Sequence, residues 1–246
     1  MILTVDIGNT TISWRMFKKT RVVKKGVCTH AQFSQRGLPL RLYRGKMTTS
    51  IISSVVPFLT RAVKKEIHVR CGVRSFVVGQ DLDVRIPHAH VNLKTLGSDR
   101  LVNIYGALFI YKTPFLVIDF GSAITFDVVD ADEVYHGGVI VPGVETSFNA
   151  LKAKGALLPK TLSLSTSRSV VGKNTKSALI AGALFGFAAL TDGMIERYQE
   201  LFSDKLIAVA TGGTAKKIIP LCQRKITLDL DLTHKALVKI AQISGI

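Results

Sequence analysis

Residues 2–14 read Ile-Leu-Thr-Val-Asp-Ile-Gly-Asn-Thr-Thr-Ile-Ser-Trp, and residues 115–127 read Phe-Leu-Val-Ile-Asp-Phe-Gly-Ser-Ala-Ile-Thr-Phe-Asp. Each is an apolar run, then Asp-x-Gly with a small polar residue, then a second β-rich run. Asp6 matches Asp119 and Gly8 matches Gly121. The spacing is too long for a solenoid period. It predicts two copies of one domain, each opening strand–turn–strand, with residues 1–113 and 114–246 as the two lobes. A carboxylate and a glycine at both turns suit a cleft between lobes that holds a nucleotide phosphate and its metal.

Working outward, the pattern around both copies is α/β. In the first, Ile12 to Phe17 and Arg21 to Cys28 continue as strands, the last edge-like with lysines outward. Residues 29–48 are irregular or helical. Ile51 to Val56 reads as a strand ending at Pro57, Phe58 to His68 as a helix, and Arg74 to Val78 as a strand. After a polar loop, Ser98 is expected to cap a helix to about Tyr111, with Leu101, Ile104, Tyr105 and Leu108 on one face. In the second copy, two strands flank the Asp119 turn and Tyr135 to Val141 forms a third. Val144 to Lys154 reads as a helix, and Asn174 caps a long helix to about Leu201. Leu206 to Ala210 is a strand, a helix follows Thr214, and Thr233 caps the last. Antiparallel strands first and parallel ones after fit this order.

With 246 residues and 47% apolar content, the chain can fill one large core or two modest ones. The longest uncharged apolar run, Ala178 to Leu190, is shorter than the roughly 18–20 residues of a membrane span. Cys28, Cys71 and Cys222 form no metal-binding or disulfide spacing, and the chain opens directly on a strand, so a cytoplasmic protein without a membrane partner is expected. The net charge is +16, and from Ile7 to Lys65 there are 13 Lys and Arg and no Asp or Glu. That half attracts polyanions by simple electrostatics. No helix-turn-helix, RNP or zinc-finger pattern accompanies it, so specific nucleic-acid recognition is not expected.

Gly8 lets the chain turn sharply, and the amides from Asn9 to Ile12 can face phosphate oxygens. The stretch is neither GxxxxGK[ST] nor GxGxxG. Thr211-Gly212-Gly213-Thr214 lies where a strand meets a helix start, a place suited to an anion or a nucleotide's sugar. Gly97-Ser98-Asp99-Arg100 opens a helix with a carboxylate to serve as base and an arginine fork to hold an anion. His88 and His90 flank Ala89; with too few companions to bind metal, His90 is at most a substrate contact.

Taken together, Asp6-Ile-Gly-Asn-Thr10, Ser53-Ser-Val-Val-Pro57, Gly97-Ser-Asp-Arg100, Asp119-Phe-Gly-Ser-Ala-Ile-Thr-Phe-Asp127, Gly137-Gly-Val-Ile-Val-Pro-Gly143, Val171-Gly-Lys-Asn-Thr175 and Thr211-Gly-Gly213 resemble the type III pantothenate kinases. These belong to the acetate and sugar kinase/Hsp70/actin superfamily. The resemblance implies duplicated ribonuclease H-like, actin-like ATPase domains with an interlobe cleft. It implies ATP-dependent phosphorylation of pantothenate, the first step toward coenzyme A. It assigns the phosphate hairpin to Asp6, Ile7, Gly8, Asn9, Thr10, Thr11, Ile12 and Ser13, and an ATP contact to Ser122. Pantothenate would meet His90, Gly97, Ser98, Asp99, Arg100 and Thr175, with Asp99 as the base. Asp119 would bind a monovalent cation, K+ or NH4+, and Mg2+ would travel with ATP. A homodimer is implied, its contact expected on the helix from Asn174. The sequence departs from the family at Asn92-Leu93, where the family has Asn-Pro, and at His90, Ser98 and Ser122. A kinase for another small hydroxy acid and a basic accessory protein are the rival readings.

Overall fold

A computed structural model describes residues 1–40, 45–155, 164 and 169–246. The chain forms two compact units. One comprises Met1–Ile86, Asn92–Ile110 and Asp231–Ile246; the other comprises Pro87–Val91 and Tyr111–Leu230.

The first unit is built on strands β1 (Ile2–Ile7), β2 (Thr11–Lys18), β3 (Arg21–Thr29), β4 (Thr49–Ser54) and β5 (Ser75–Val77), in the order β3-β2-β1-β4-β5. β1 is antiparallel to β2 and parallel to β4. The helices are α1 (His30–Arg36), α2 (Pro57–Cys71) and α3 (Ser98–Ile110). The undecided stretch 29–48 thus contains α1, opened by a Thr29–Gln32 capping box; its residues 41–44 lie outside the described residues. Strand alternation sends Leu3, Val5, Ile7, Ile12, Trp14 and Met16 into one core with Leu59, Val63 and Ile67 of α2. Edge strand β3 leaves Arg21, Lys24 and Lys25 exposed, as its charges suggest.

The second unit repeats the plan. β6 (Phe115–Phe120), β7 (Ala123–Val129), β8 (Tyr135–Pro142), β9 (Ile207–Thr211) and β10 (Ile226–Leu228) form a sheet in the order β10-β9-β6-β7-β8. Between β8 and β9 lie α4 (Val144–Lys154), α5 (Thr175–Ala181), a π turn (Gly182–Gly186) and α6 (Phe187–Gln199). α7 (Ala215–Ile218) leads toward β10, a short strand that the sequence pattern does not announce. The helical stretch Thr175–Gln199 is long and apolar enough, by length and composition, to cross a membrane, although one third (33%) of its most apolar window is buried. Ile180, Leu184, Ala188, Ile195 and Tyr198 from this stretch pack in the core with Leu116, Ile118 and Phe126.

Both sheets show the expected directions, the first three strands antiparallel and the later ones parallel, but the compact units do not divide at 113/114. Pro87–Val91 joins the second unit because the Ala89 N–H donates to Tyr135 O (3.0 Å) and the Tyr135 N–H to Pro87 O (2.9 Å). The last helix, α8 (Leu232–Ile243), joins the first. Its Ala236, Leu237, Ile240 and Ala241 share a core with Ile51, Val84 and Val102. Of the expected apolar face of α3, Ile104 is buried and Leu101 and Tyr105 are partly so, and the buried surface extends to Val102, Asn103, Gly106 and Ala107, where small residues let α8 approach. A Cβ at Gly106 would sit 2.2 Å from the Ala236 Cβ and 2.9 Å from its Cα. Thr233 does not cap α8. It lies inside the helix, and its hydroxyl donates to Asn103 Oδ1 (2.7 Å); Asp231 takes the cap position.

On the sheet face opposite the α2 core, α8 makes polar contacts. His234 Nδ1 lies 2.8 Å from Thr4 Oγ1, and Nε2 lies 2.9 Å from Ser13 Oγ. Arg15 Nε donates to Asp231 Oδ1 at 2.8 Å. Burial alone would raise the Asp231 carboxyl, but the guanidinium outweighs it and holds the acid below its usual range. His234 is buried, and desolvation, helped by Arg15, pushes its pKa down to about 3.

Two outcomes follow from this packing. An unfolded chain protonates His234 near its ordinary 6.5, whereas the folded chain resists to about 3. The stabilisation is therefore complete above pH 6.5 and is lost progressively below it, by about 2 kcal/mol at pH 5. Urea unfolding at pH 7 and pH 5 should show this loss in the wild type and a smaller one in His234→Gln; equal losses would remove His234 as the cause. In Gly106→Val the side chain must force α3 from α8, lowering stability by about 1–3 kcal/mol despite a few tenths gained in helix propensity. An unchanged urea midpoint would contradict the close contact.

Candidate active site

In the first unit the site grows from the carboxyl end of β1. Gly8 N–H donates to Thr11 O (3.0 Å) and closes the turn, leaving Asn9 and Thr10 exposed. His30, the first residue of α1, places Nε2 2.9 Å from Gly8 O; a carbonyl can only accept, so that nitrogen carries the proton. The ring pins the turn from outside, a role that a lone histidine in an undecided stretch does not reveal.

β4 ends beside β1, with Ile7 paired to Ser54 and Asp6 to Ser53. Val55 N–H donates to Ile7 O at 3.1 Å. The start of α3 is tied to the same place. Ser98 Oγ donates to Ser54 O (2.8 Å) and accepts Ser54 N–H (3.2 Å), while Thr60 Oγ1 donates to Ser54 Oγ (2.7 Å). Ser98 therefore does not cap its helix; it rivets the helix to β4. Asp99 Oδ1 accepts the Arg100 N–H at 2.8 Å, which turns the carboxylate back over the helix start. A Cβ at Gly97 would lie 2.5 Å from that Oδ1 and push the carboxylate aside. The ends of β1 and β4 and the run Gly97–Arg100 are thus tied together at one end of one sheet, which carries a carboxylate, a guanidinium and a glycine turn.

The second unit shows the same device at β6. Gly121 N–H donates to Ala123 O (3.0 Å), and Ser122 O accepts from Gly143 N–H (3.0 Å) and Thr146 Oγ1 (2.6 Å). Thr214 donates through N–H and Oγ1 to Phe120 O. Asp119, half-buried, pairs with Thr125 and Thr211. Gly212 has φ +95°, and a Cβ there would lie 2.5 Å from Asp119 Oδ1, so the Thr211–Thr214 run passes the carboxylate closely because it is glycine. Asp127 is different: it is buried and accepts the Tyr135 hydroxyl at 2.7 Å.

His90 and Thr175 also belong to the second unit. His90 is exposed, with φ +55°. Thr175 opens α5 just after the Asn174 cap, whose Oδ1 accepts Ser177 N–H at 2.9 Å. It lines an apolar groove of about 380 Å³ with Val144, Phe148, Leu151 and Phe187. Among the described residues, no three His, Cys, Asp or Glu side chains cluster as a metal-ligand set.

The family model for type III pantothenate kinase matches residues 2–197. A type III pantothenate kinase from Thermus thermophilus is 36% identical, over 98% of both chains. Among solved structures, a Campylobacter jejuni protein described as a Baf family transcriptional activator covers 99% of this chain and 98% of its own, with a TM-score of 0.63 at 20% identity. A ROK family glucokinase from Streptomyces griseus, solved with glucose and AMPPNP, has a TM-score of 0.54 at 9% identity and covers 98% of each chain. The likeness to these two structures concerns the fold: α/β units of the actin-like ATPase and sugar kinase class. The family model covers most of the chain and the curated relative aligns along nearly all of it, and the chain belongs to the type III pantothenate kinase family.

Proposed function

We propose that this chain transfers the γ-phosphoryl group of ATP to the hydroxyl of pantothenate, giving 4'-phosphopantothenate and ADP at the first step of coenzyme A synthesis, with Asp99 as the base. The observation that supports the assignment is the Ser98–Ser54 rivet, which fixes the start of α3 against the end of β4, the strand paired to the end of β1. Phosphoryl transfer needs mainly positioning and charge stabilisation. In this reading Asp99 takes the hydroxyl proton as the oxygen attacks phosphorus and the bond to the ADP oxygen breaks. Arg100 and His90 hold the substrate's polar groups. The amides of the Gly8 turn receive phosphate, and Ser122 meets the nucleotide.

Hard oxygen donors suit the cations this chemistry uses. Asp119, half-buried beside the Thr211–Gly212 backbone, fits K+ or NH4+ as a carboxylate with backbone company. Mg2+ would be held chiefly by phosphate oxygens and water near Asp6. A homodimer through the helix from Asn174 is supported by exposed apolar residues in its neighbourhood in the chain, Val171 just before α5 at 73% and Leu151 of α4 at 51%. The substrates are those of cytosolic metabolism, which supports a cytoplasmic enzyme.

Steady-state kinetics with ATP and pantothenate test the central assignment. Asp99→Asn should lower kcat about a hundredfold or more with little change in KM for ATP, and Gly97→Ala should lower kcat because it displaces the same carboxylate. Full turnover in Asp99→Asn removes it from the role of base. Potassium titration tests the second half. Asp119→Asn should need about tenfold more K+ for half-maximal rate, whereas an unchanged K+ curve would assign the cation elsewhere.

A further inference from the structure

The hydroxyl–imidazole–hydroxyl contact beneath the phosphate hairpin has a direction. Thr4 Oγ1 also lies 3.3 Å from Arg15 O, which can only accept, and one arrangement uses all three contacts at once, with the Thr4 proton directed to that carbonyl. The Thr4 oxygen is then an acceptor toward His234 Nδ1, 2.8 Å away, so Nδ1 carries the imidazole proton. A neutral ring with Nδ1–H has a bare Nε2, and the Ser13 hydroxyl at 2.9 Å must donate to it. Ser13 thus turns its proton inward and shows only lone pairs to the outside. Its cross-strand neighbour on the same face is Asp6, another acceptor. Two acceptors side by side repel phosphate oxygens and favour a cation or its water shell.

We propose that His234 is a positioning residue of the kinase: it fixes the Ser13 hydroxyl as an acceptor beside Asp6, so that this face of the hairpin takes the hydrated magnesium that accompanies ATP while the Gly8 turn takes the phosphates. The inference rests on the reading of residues 6–13 as the phosphate hairpin. It changes the part played by Ser13, which no longer donates to phosphate. It also gives α8 a functional task, since the last helix of the chain reaches back to polarise the first hairpin.

The direction of the chain is visible in the unliganded wild-type protein. With ¹⁵N-labelled histidine, the His234 resonances, identified by their absence in His234→Gln, should report the Nδ1–H tautomer with an unprotonated Nε2 at pH 7. An Nε2–H ring or an imidazolium would overturn the proposal, whatever the variants do. Kinetics supply the second arm. Ser13→Ala and His234→Leu should each raise KM for MgATP about tenfold, leave KM for pantothenate unchanged, and show no further loss when combined. His234→Gln, whose Oε1 can take the place of Nε2, should recover most of the affinity, and the shorter His234→Asn should not. Additive losses, or wild-type KM for MgATP in a folded His234→Leu, would refute it. Gly8→Val separates the two readings. If it raises KM for MgATP while His234→Leu does not, only the positioning role falls; if it leaves KM unchanged, the hairpin reading falls and this inference with it.

Discussion

Each five-stranded sheet places an aspartate one residue before the end of its central strand, next to a turn tight enough that its first backbone hydrogen bond closes on the following strand. Asp6 and Asp119 therefore stand at fixed points, flanked on one side by an antiparallel partner and on the other by a parallel one. The geometry follows from the topology. A hairpin supplies a turn of exposed amides, and the parallel neighbour delivers a second chain end to the same spot, as open α/β sheets do at the carboxyl ends of their strands. A negative group and backbone donors at one place suit a phosphate and its counter-cation.

What arrives at the end of the parallel neighbour differs between the units. In the first it is Ser53-Ser54 and, through Ser98, the start of α3 with Asp99 and Arg100. In the second it is the Thr211–Thr214 run, whose glycine passes Asp119 within contact distance. One scaffold thus presents a carboxylate and an arginine in one copy and a glycine-rich strand exit in the other. The exits and the helices differ between the units, while the sheets keep the same order.

The strands, their order and the two turns were legible because alternating apolar residues and Asp-x-Gly turns are local signals. The aspartates of the two turns, Asp6 and Asp119, were legible for the same reason. The position of α8 was not. Its partners are Gly106, Asn103 and Ser13, more than a hundred residues away, and small or polar residues carry no apolar periodicity. Ser98 and Thr233 look like helix caps from their neighbours, yet each spends its hydroxyl on a distant partner. His30, His234 and Thr146 went unnoticed because a single polar side chain becomes informative only when the fold shows what it touches. Asp127 was legible as a carboxylate, but its burial against Tyr135 makes it part of the core of the second unit.

The concentration of Lys and Arg up to Lys65 gives exposed charge along β3, where it guards an open sheet edge and attracts anions. That charge does not identify the acceptor of a phosphoryl group, so the decisive observation is the product. ³¹P NMR of the protein with MgATP, K+ and pantothenate should show a phosphomonoester of pantothenate growing in step with ADP, and no such ester when pantothenate is withheld. ADP and inorganic phosphate accumulating without that ester would contradict the account.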